Sequence, residues 1–223
     1  MACVIARAIA DGERVGVGVN SPIPAAGVLL AQRTHAPGLR FRLPGVEGSV
    51  PFVGSKEFFD YAQRGRLDLF FLSGVQIDAR ARINMHVLGD YERPRRRFPG
   101  AFGSAVLYPV VRRVILFRTE HSPRVFVPRV DFVTAAGRPE RVVTPRAVLG
   151  YDGAAERLVL DSYHPGESVE SVRAATGFEL PVTDGAGETA PPTPAELRVL
   201  REEVYPLLAP VYPAFVRRVY PDC

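Results

Sequence analysis

The stretch that decides the fold runs from Phe70 to Thr134 and reads FFLSGVQIDARARINMHVLGDYERPRRRFPGAFGSAVLYPVVRRVILFRTEHSPRVFVPRVDFVT. Three glycine-containing blocks follow one another in it: SGVQID at 73–78, GDY at 89–91 and GAFGSA at 100–105. The run 67–72 that precedes the first block is apolar apart from Asp68, which is typical of a strand buried on both faces. Ligands of open α/β sheets bind beyond the carboxyl ends of such strands. The sequence therefore predicts a ligand site at the turn that begins with Ser73.

On either side of this stretch, helical and strand patterns alternate along the chain. The patterns predict helices over 2–10, 22–32 and 55–63, and strands over 14–19, 39–43, 67–72, 113–117 and 125–133. Ser21-Pro22 and Ser55 are the predicted helix starts, and Gly65 follows the third helix as a stop signal. Alternating strands and helices favour α/β layers around a mostly parallel sheet.

The C-terminal part of the chain carries one linker and one helix. Residues 185–194 are rich in Gly, Pro and Thr, which is typical of a linker. Thr193-Pro194-Ala195-Glu196 matches a capping box, so a helix is expected over 194–208. The linker separates this helix from the body of the protein without defining a second domain. We therefore expect a single domain over residues 1–223.

The bulk composition is that of a globular protein. Hydrophobic residues make up 47% and charged residues 23% of the chain. No apolar run reaches the roughly 18 residues that a membrane span requires. The first ten residues lack a charged leader and a cleavage site, so they predict a first helix rather than a signal peptide. Cys3 and Cys223 fit neither a disulfide framework nor a metal spacing, and a cytoplasmic location is the simplest expectation.

The net charge is +4, and nearly all the positively charged residues are arginines, since Lys56 is the only lysine. The densest cluster is Arg93-Pro94-Arg95-Arg96-Arg97. Arginine binds phosphates through bidentate contacts, so one interpretation is a phosphate clamp. The interpretation that we favour is a solvated loop or a subunit interface. Nucleic-acid binding is not expected, because the basic run has no interleaved aromatic residues and no recognised motif accompanies it.

The glycine blocks resemble those of the β subunits of family I CoA-transferases, most closely glutaconate CoA-transferase. Residues 73–78 match Gly-Gly-Ala-Gln-Ile-Asp, and 100–105 match Gly-Ser-Gly-Gly-Ala-Asn in part. Further matches lie at 158–180 and 200–203, so the resemblance covers nearly the whole chain. It implies a three-layer αβα sandwich with a mostly parallel sheet, the CoA-transferase (NagB/RpiA-like) fold, as a single β-type domain.

The resemblance also implies a set of site residues. The backbone N–H of Gly74 would hold the oxyanion that develops on the thioester. Gly100, Gly103 and Ser104 would line the channel for the pantetheine arm of CoA. Asn20 would contact the ligand from the Gly-x-Gly-x-x-Pro turn between the first strand and the second helix. That turn is not a dinucleotide fingerprint, and a plain tight turn is the alternative.

Two departures from the family pattern affect this set. Arg80-Ala81-Arg82 replaces Tyr-Gly-Asn, which removes a turn glycine. In the channel loop, Phe102 replaces a glycine and Ala105 an asparagine. A phenyl ring in a loop that lies close to a ligand is expected to narrow or reshape the channel.

The catalytic glutamate is the largest departure. In the family its carboxylate attacks the acyl-CoA thioester from the end of a strand that follows an Ala-Pro-Asp turn. Here Ala36-Pro37-Gly38 precedes the strand, and Pro44 occupies the glutamate position when residues are counted without gaps. Glu47 is the candidate nucleophile if the chain forms a short bulge at Pro44. Otherwise Glu47 is an exposed turn residue.

The four histidines carry two further expectations. Glu120-His121 falls where the family has a His-Glu pair in the opposite order, and a general base is one interpretation. We favour a structural hydrogen bond for this pair. His86 is expected in a strand. The positions of His35, His86, His121 and His164 show no metal-ligand spacing, so no metal is expected.

These observations support three functional hypotheses. The first is a β-type CoA-transferase subunit that moves CoA between an acyl-CoA and a carboxylate through a glutamyl-CoA thioester. The second is a subunit of a ring-opening hydrolase, which cleaves a carbon–carbon bond in a cyclic acyl-CoA and lacks the glutamate. The third is a non-catalytic partner subunit.

The resemblance implies an α-type partner subunit, in a heterodimer or an α2β2 assembly, because family members build the active site between the two. Coenzyme A is expected as a substrate and not as a permanently bound cofactor. No membrane is expected as a partner.

Overall fold

The computed structural model of the chain describes residues 1–46, 49 and 54–221. It separates into two compact units. The first comprises Met1–Phe71 with Pro192–Cys223, and the second comprises Leu72–Pro191.

The N-terminal part of the first unit alternates helices and strands. The helices are α1 (Ala2–Arg7), α2 (Pro22–Thr34) and α3 (Ser55–Gln63), and the strands are β1 (Arg14–Gly16), β2 (Arg40–Arg42) and β3 (Leu69–Leu72). β1 pairs in parallel with both β2 and β3. All four residues of β3 are buried, as its continuous apolar sequence predicts. The helices between these strands provide the crossovers that parallel pairing requires.

Two glycines in this part of the chain serve close packing. A Cβ on Gly16 would lie 2.7 Å from the ring of Phe70, and a Cβ on Gly27 would lie 2.6 Å from Ile5. β1 therefore lies directly against a phenylalanine of β3, and α1 directly against α2.

The second unit contains most of the strands. They are β4 (Gln76–Asp78), β5 (Ile83–Asn84), β6 (Val87–Gly89), β7 (Pro94–Arg97), β8 (Arg113–Phe117), β9 (Phe126–Val127), β10 (Arg141–Val143), β11 (Ala147–Asp152), β12 (Arg157–Tyr163) and β13 (Val182–Glu188). β8 and β10 are parallel, β10, β11 and β12 are successively antiparallel, and β12 and β13 are parallel. β4 pairs with β5 and β9, and β6 forms a hairpin with β7. The helices of this unit are α4 (Ser104–Val110) and α5 (Val169–Ala174).

The C-terminal helix of the first unit begins at the predicted capping box. The Glu196 N–H donates to the Thr193 hydroxyl over 3.1 Å, and the Thr193 N–H donates to the Glu196 carboxylate over 2.7 Å. α6 (Pro194–Val199) continues through a π-helical segment (Leu200–Val204) into α7 (Tyr205–Leu208), and α8 (Pro213–Val219) follows. The helix expected over 194–208 is confirmed.

Four sequence-based boundaries differ from the structure by three residues or more. Residues 185–188 belong to β13, so the irregular linker begins after Glu188. Over 125–133 only Phe126–Val127 is a strand, because Pro128 cannot donate to a ladder. β1 ends at Gly16 and α1 ends at Arg7, short of the predicted 19 and 10.

The observed elements confirm an α/β fold with a mostly parallel sheet. Among the helices that the structure describes, none is long and apolar enough to cross a membrane.

Candidate active site

The turn after β2 explains the proline at the position expected for the nucleophile. The Val46 N–H donates to the Leu43 carbonyl over 3.2 Å, which closes a four-residue turn. Pro44 is its second residue, and Gly45, with φ at +84°, is its third. Proline followed by a glycine of positive φ is the pattern of a type II turn. Pro44 therefore reverses the chain rather than ending a strand.

The chain on the far side of this turn is tied back to it. The Leu43 N–H donates to the Ser49 hydroxyl over 2.7 Å, and the Ser49 N–H donates to the Val46 carbonyl over 3.3 Å. A Cβ on Gly45 would lie 3.1 Å from Val211, so this turn packs against the C-terminal segment of its own unit. Glu47, the candidate nucleophile, lies outside the described residues.

Gly74 follows β3 and is buried. A Cβ at this position would lie 2.7 Å from the Gln76 carbonyl and 3.1 Å from Ile83. Only glycine fits here, because a side chain would collide with the backbone of β4 and with β5. The next N–H along the chain, that of Val75, donates to the Asn84 carbonyl over 2.7 Å. The Gly74 N–H itself has no backbone acceptor in the part of the chain that the structure describes.

A buried amide pair supports this turn from behind. The Asn84 side-chain amide donates to the Gln76 side-chain oxygen over 2.7 Å and to the Val87 carbonyl over 2.6 Å. The Gln76 oxygen also accepts the Asp131 N–H over 3.0 Å. From sequence alone, Gln76 stood out only as part of the 73–78 block, and Asn84 was missed. Asparagine in an otherwise apolar strand was the available signal.

Asp78 compensates for the missing turn glycine. Ala81 adopts a φ of +58°, the left-handed conformation for which the family pattern has glycine. The Asp78 carboxylate accepts the N–H groups of Arg80 and Arg82, each over 3.1 Å, and pairs with the Arg82 guanidinium over 2.7 Å. The turn is thus held by a buried carboxylate.

The expected channel loop leads into α4. Gly103 has a φ of +70°, which favours glycine, and it immediately precedes the helix. Ser104 is buried, and its hydroxyl lies 3.3 Å from the sulfur of Met85. A Cβ on Gly100 would meet only the Phe102 nitrogen, at 3.7 Å. The structure therefore leaves open space at Gly100, whereas the Ser104 side chain faces protein.

Phe102 was expected to narrow or reshape the channel. In the structure its side chain is 76% exposed. The only atom of Phe102 near a Cβ built at Gly100 is its backbone nitrogen, so the ring does not fill the space at Gly100.

Asn20 lies in the first unit, in the turn between β1 and α2. Its φ is +58°, a left-handed conformation that asparagine adopts more readily than most residues. Val19 beside it is exposed. Gly16 is one of the two glycines of this turn, and its tight packing on Phe70 explains why a glycine is required there.

His121 is a structural residue, as its sequence context favoured. Its ring nitrogens lie 2.9 Å from the Thr144 hydroxyl and 3.0 Å from the Thr176 hydroxyl, and the ring stacks on Phe126 at 4.3 Å between centroids. Burial lowers the pKa of His121 to about 4. Glu120 turns away from the ring, because its carboxylate accepts from Ser122 over 2.6 Å and from Arg124 over 2.7 Å.

The other histidines also have partners. The His86 ring lies 2.7 Å from the Thr134 hydroxyl, His35 lies 3.0 Å from the Ile9 carbonyl, and His164 lies 2.9 Å from the Thr144 carbonyl. His86 was expected in a strand but lies between β5 and β6. The described residues contain no group of three or more His, Cys, Asp or Glu that could hold a metal ion.

The arginine cluster lies on the exposed hairpin of β6 and β7. The Arg97 guanidinium lies 5.0 Å above the Tyr91 ring and donates to the Tyr91 carbonyl over 2.8 Å. Arg96 lies 5.0 Å from the ring of Phe98. This hairpin directly precedes the loop at Gly100.

One further cation was missed in the sequence analysis. Arg118 is the first residue after β8 and is only partly exposed. Its Nε is buried without a hydrogen-bond partner, and burial lowers the pKa of the guanidinium. No motif marks this residue.

The comparisons with known proteins fit this architecture. The model of the coenzyme A transferase family matches residues 45–175. The B-type polypeptide of glutaconate CoA-transferase from Acidaminococcus fermentans is 29% identical, over 92% of this chain and 91% of its own. The B-type polypeptide of 3-oxoadipate CoA-transferase from Pseudomonas knackmussii is 28% identical, over 90% of each chain. IpdB of the cholesterol ring-cleaving hydrolase from Rhodococcus jostii is 30% identical, over 72% of this chain and 67% of its own.

Solved structures give the same picture. The crystal structure of glutaconate CoA-transferase from A. fermentans matches with a TM-score of 0.81 and 27% identity, over 93% of this chain and 94% of that one. The decarboxylase AibA/AibB matches with a TM-score of 0.82 and 28% identity, over 90% and 91%.

The chain therefore belongs to the coenzyme A transferase family. The resemblance that the glycine blocks carried is confirmed, and so is the fold that it implied.

Proposed function

We propose that the chain is the β-type subunit of a CoA-transferase, which moves CoA between an acyl-CoA and a carboxylate. The observation that carries this proposal is the similarity to the B-type polypeptides of two CoA-transferases over nine-tenths or more of the chain. This similarity covers both the turn that precedes Glu47 and the turn at Gly74.

Glu47 is the proposed nucleophile. Its carboxylate attacks the thioester carbonyl, the C–S bond breaks, and the CoA thiolate leaves behind a mixed anhydride. The thiolate then attacks the glutamyl carbonyl and releases the acyl group as a carboxylate, which leaves a glutamyl-CoA thioester. An acceptor carboxylate reverses these steps, so that one difficult transfer becomes several easier ones. The turn at Pro44 supports this assignment. The sequence makes Glu47 the candidate nucleophile on the condition that the chain forms a short bulge at Pro44, and a turn is present there.

The second unit supplies the proposed contacts to the acyl-CoA. The buried Gly74 N–H, which has no backbone acceptor among the described residues, is the oxyanion donor. The backbone at Gly100, Gly103 and Ser104 lines the pantetheine channel. Asn20 of the first unit is a further polar contact.

The remaining partners follow from the same similarity. The two transferase relatives are each one of the subunits of their enzymes, so we propose an α-type partner subunit in a heterodimer or an α2β2 assembly. CoA takes part as a substrate and no cofactor stays bound. The scarcity of cysteine supports a cytoplasmic location.

A second candidate function is hydrolysis. Pro44 stands where an ungapped count puts the nucleophile, and one relative is named as a ring-cleaving hydrolase subunit. In that case water would add to a ring carbonyl of a cyclic acyl-CoA, the adjacent carbon–carbon bond would break to give a carboxylic acid, and the released carbon would take up a proton. The base would come from the α-type partner.

The deciding experiment is the intact mass of this chain, purified with its co-encoded partner, after brief incubation with a panel of acyl-CoAs. Transferase chemistry predicts a CoA-sized adduct that maps to Glu47 and disappears in Glu47→Gln. Glu203→Gln is the matched control, because Glu203 is an exposed glutamate of the same unit. Consumption of acyl-CoA without an adduct, with oxygen from labelled water in the product acid, would establish the hydrolase instead.

A further inference from the structure

Helix α4 is apolar on both of its sides. Its inner side is buried, and there the Tyr108 hydroxyl donates to the Ala81 carbonyl over 3.0 Å. On its outer side, Val106 is 36% exposed and Val110 is 40% exposed. Residues 98–111 include no charged side chain. A surface helix of a globular protein normally has charged or polar residues on its outer side, so α4 lacks the usual solvent-facing residues.

Five exposed apolar residues lie together here. We call them the outer face of α4, which comprises Phe102, Ala105, Val106, Pro109 and Val110. The last four have the spacing that places side chains on one side of a helix, and Phe102 precedes the helix by two residues. Of the seven large apolar side chains that are exposed among the described residues, three lie on this face. Single exposed apolar residues are ordinary, whereas a contiguous apolar surface marks an interaction site.

The arginine hairpin of β6 and β7 adjoins this face. At the end of the hairpin, the Phe98 N–H donates to the His86 carbonyl over 2.8 Å. At the start of α4, the Ser104 hydroxyl lies 3.3 Å from the sulfur of Met85. Both elements are thus attached to the same short segment of chain. The hairpin over 87–97 has four exposed arginines against two acidic residues, so the outer face of α4 has a positively charged border.

This charged border selects the kind of molecule that can cover the face. In a two-fold dimer of this chain the same surface would be used by both copies, so two arginine hairpins would be brought together. Like charges that meet at an interface disfavour association. A different protein, with an apolar patch bordered by carboxylates, complements both the helix and the hairpin.

We propose that the α-type partner subunit docks on the outer face of α4, with Asp or Glu side chains of the partner opposite the arginine hairpin. The proposal rests on the proposed function, which supplies the partner. Phe102 is the aromatic anchor of the contact, because large aromatic side chains at the centre of an interface contribute most to affinity. Gly100 and Gly103 flank Phe102, so the docked partner stands at the edge of the proposed pantetheine channel.

Assembly of the full chain with its co-encoded partner tests this docking surface. Val110→Asp introduces a carboxylate into the apolar contact and should weaken the complex by about 10- to 100-fold in sedimentation velocity over a concentration series. Val219→Asp is the matched control. Val110 and Val219 are each 40% exposed and are each the last residue of a seven-residue helix, so the two changes affect their own helices alike. Val219→Asp should leave the dissociation constant within about threefold.

Two further variants separate docking from folding. Phe102→Ser removes a ring that is 76% exposed, so the circular dichroism of the chain should stay unchanged while the complex weakens by about tenfold. Arg96→Glu reverses one charge of the border. It should slow association with the partner, most strongly at low ionic strength, because charge at the border of an interface acts mainly on the association rate.

Three results overturn the inference. One is a complex that Val110→Asp weakens no more than Val219→Asp does. Another is a dimer of the wild-type chain that Val110→Asp dissociates while the partner still binds, which would assign the face to a second copy. The third is a wild-type chain that does not bind the co-encoded subunit.

A separate assay of CoA transfer distinguishes this inference from the proposed function. A partner that Val110→Asp releases, in a wild-type complex without CoA transfer, would remove the proposed function and keep the docking surface. CoA transfer by a wild-type complex that Val110→Asp does not weaken would keep the function and remove the surface.

Discussion

Arg118 and His121 lie three residues apart after the same buried strand, yet their surroundings are opposite. His121 is 6% exposed and both of its ring nitrogens have hydroxyl partners. Arg118 has a buried Nε with none. The histidine belongs to a closed hydrogen-bond network, whereas the Nε of the arginine makes no hydrogen bond to the described residues.

The difference shows that two polar residues of one loop can have different roles, depending on whether their polar atoms have hydrogen-bond partners. Thr144 is the centre of the closed network, since its hydroxyl contacts His121 and accepts the N–H groups of Arg146 and Ala147. Such a network fixes the ends of β8 and β10, and thereby the position of Arg118. A titratable residue near a site can therefore be assigned a catalytic role only after its hydrogen-bond partners have been identified.

Removing the closed network should produce the largest effect on stability. His121→Leu breaks two buried hydrogen bonds and the stacking on Phe126, so we expect a loss of about 4 kcal/mol in the free energy of unfolding. Urea denaturation would measure it. His35→Leu is the control, because His35 is exposed and should lose less than about 1 kcal/mol. Equal losses would contradict the comparison.

The same residue should make stability depend on pH. The folded-state pKa of His121 lies near 4, below its ordinary value of 6.5, because of burial and the nearby Arg146, with Glu167 acting weakly in the opposite direction. The unfolded chain therefore takes up the proton first. Stability is full above pH 6.5 and falls as the pH drops towards 4, by about 2 kcal/mol between 6.5 and 5.

Denaturation curves at several pH values would show this slope. His164 adds to it in the same direction, since burial also lowers its pKa. His121→Leu should flatten the slope, and an unchanged slope in that variant would exclude His121 as its source.

Two arginines of the same strand region sharpen the comparison further. Arg113 pairs with the half-buried Glu140, whereas Arg118 pairs with no described residue. Arg113→Met should cost about 1 kcal/mol, because it removes one of the two arginines that lower the pKa of Glu140 and leaves this half-buried carboxylate to Arg141 alone. Arg118→Met should cost nothing or stabilise the chain, since it removes a partly desolvated charge whose buried Nε makes no hydrogen bond. A loss in Arg118→Met as large as in Arg113→Met would show that Arg118 is structural.

The regular elements were predictable where local signals agree. The helix over 55–63 and the strand over 113–117 have the predicted bounds, and the capping box at Thr193 forms as expected. Ser55 is the first helical residue rather than the cap, which is Gly54. β10 to β13 were not predicted, because their short alternating segments are defined by long-range pairing rather than by local pattern.

The site residues also fall into two groups, those that the sequence predicted and those that it did not. The Gly74 turn was visible because close backbone packing leaves glycine as the only residue that fits. The turn at Pro44 was readable as a possible bulge, since proline followed by glycine specifies a chain reversal. Arg118 could not be found from the sequence, because the burial of its Nε without a hydrogen bond depends on distances, which the sequence does not report.

We expect the smallest effect from the replacement of Glu120, which lies between Arg118 and His121 in the sequence. Its ion pair is with Arg124, whose side chain is largely exposed, and exposed pairs contribute little. Glu120→Gln keeps an acceptor for the Ser122 hydroxyl, so we expect a change in unfolding free energy within about 0.5 kcal/mol and no change in the pH slope. Turnover by the complex should also persist, because the Glu120 carboxylate faces Arg124 and not the His121 ring. A loss of turnover with unchanged stability would restore Glu120 as a general base and would mean that the pair with Arg124 opens when substrate binds.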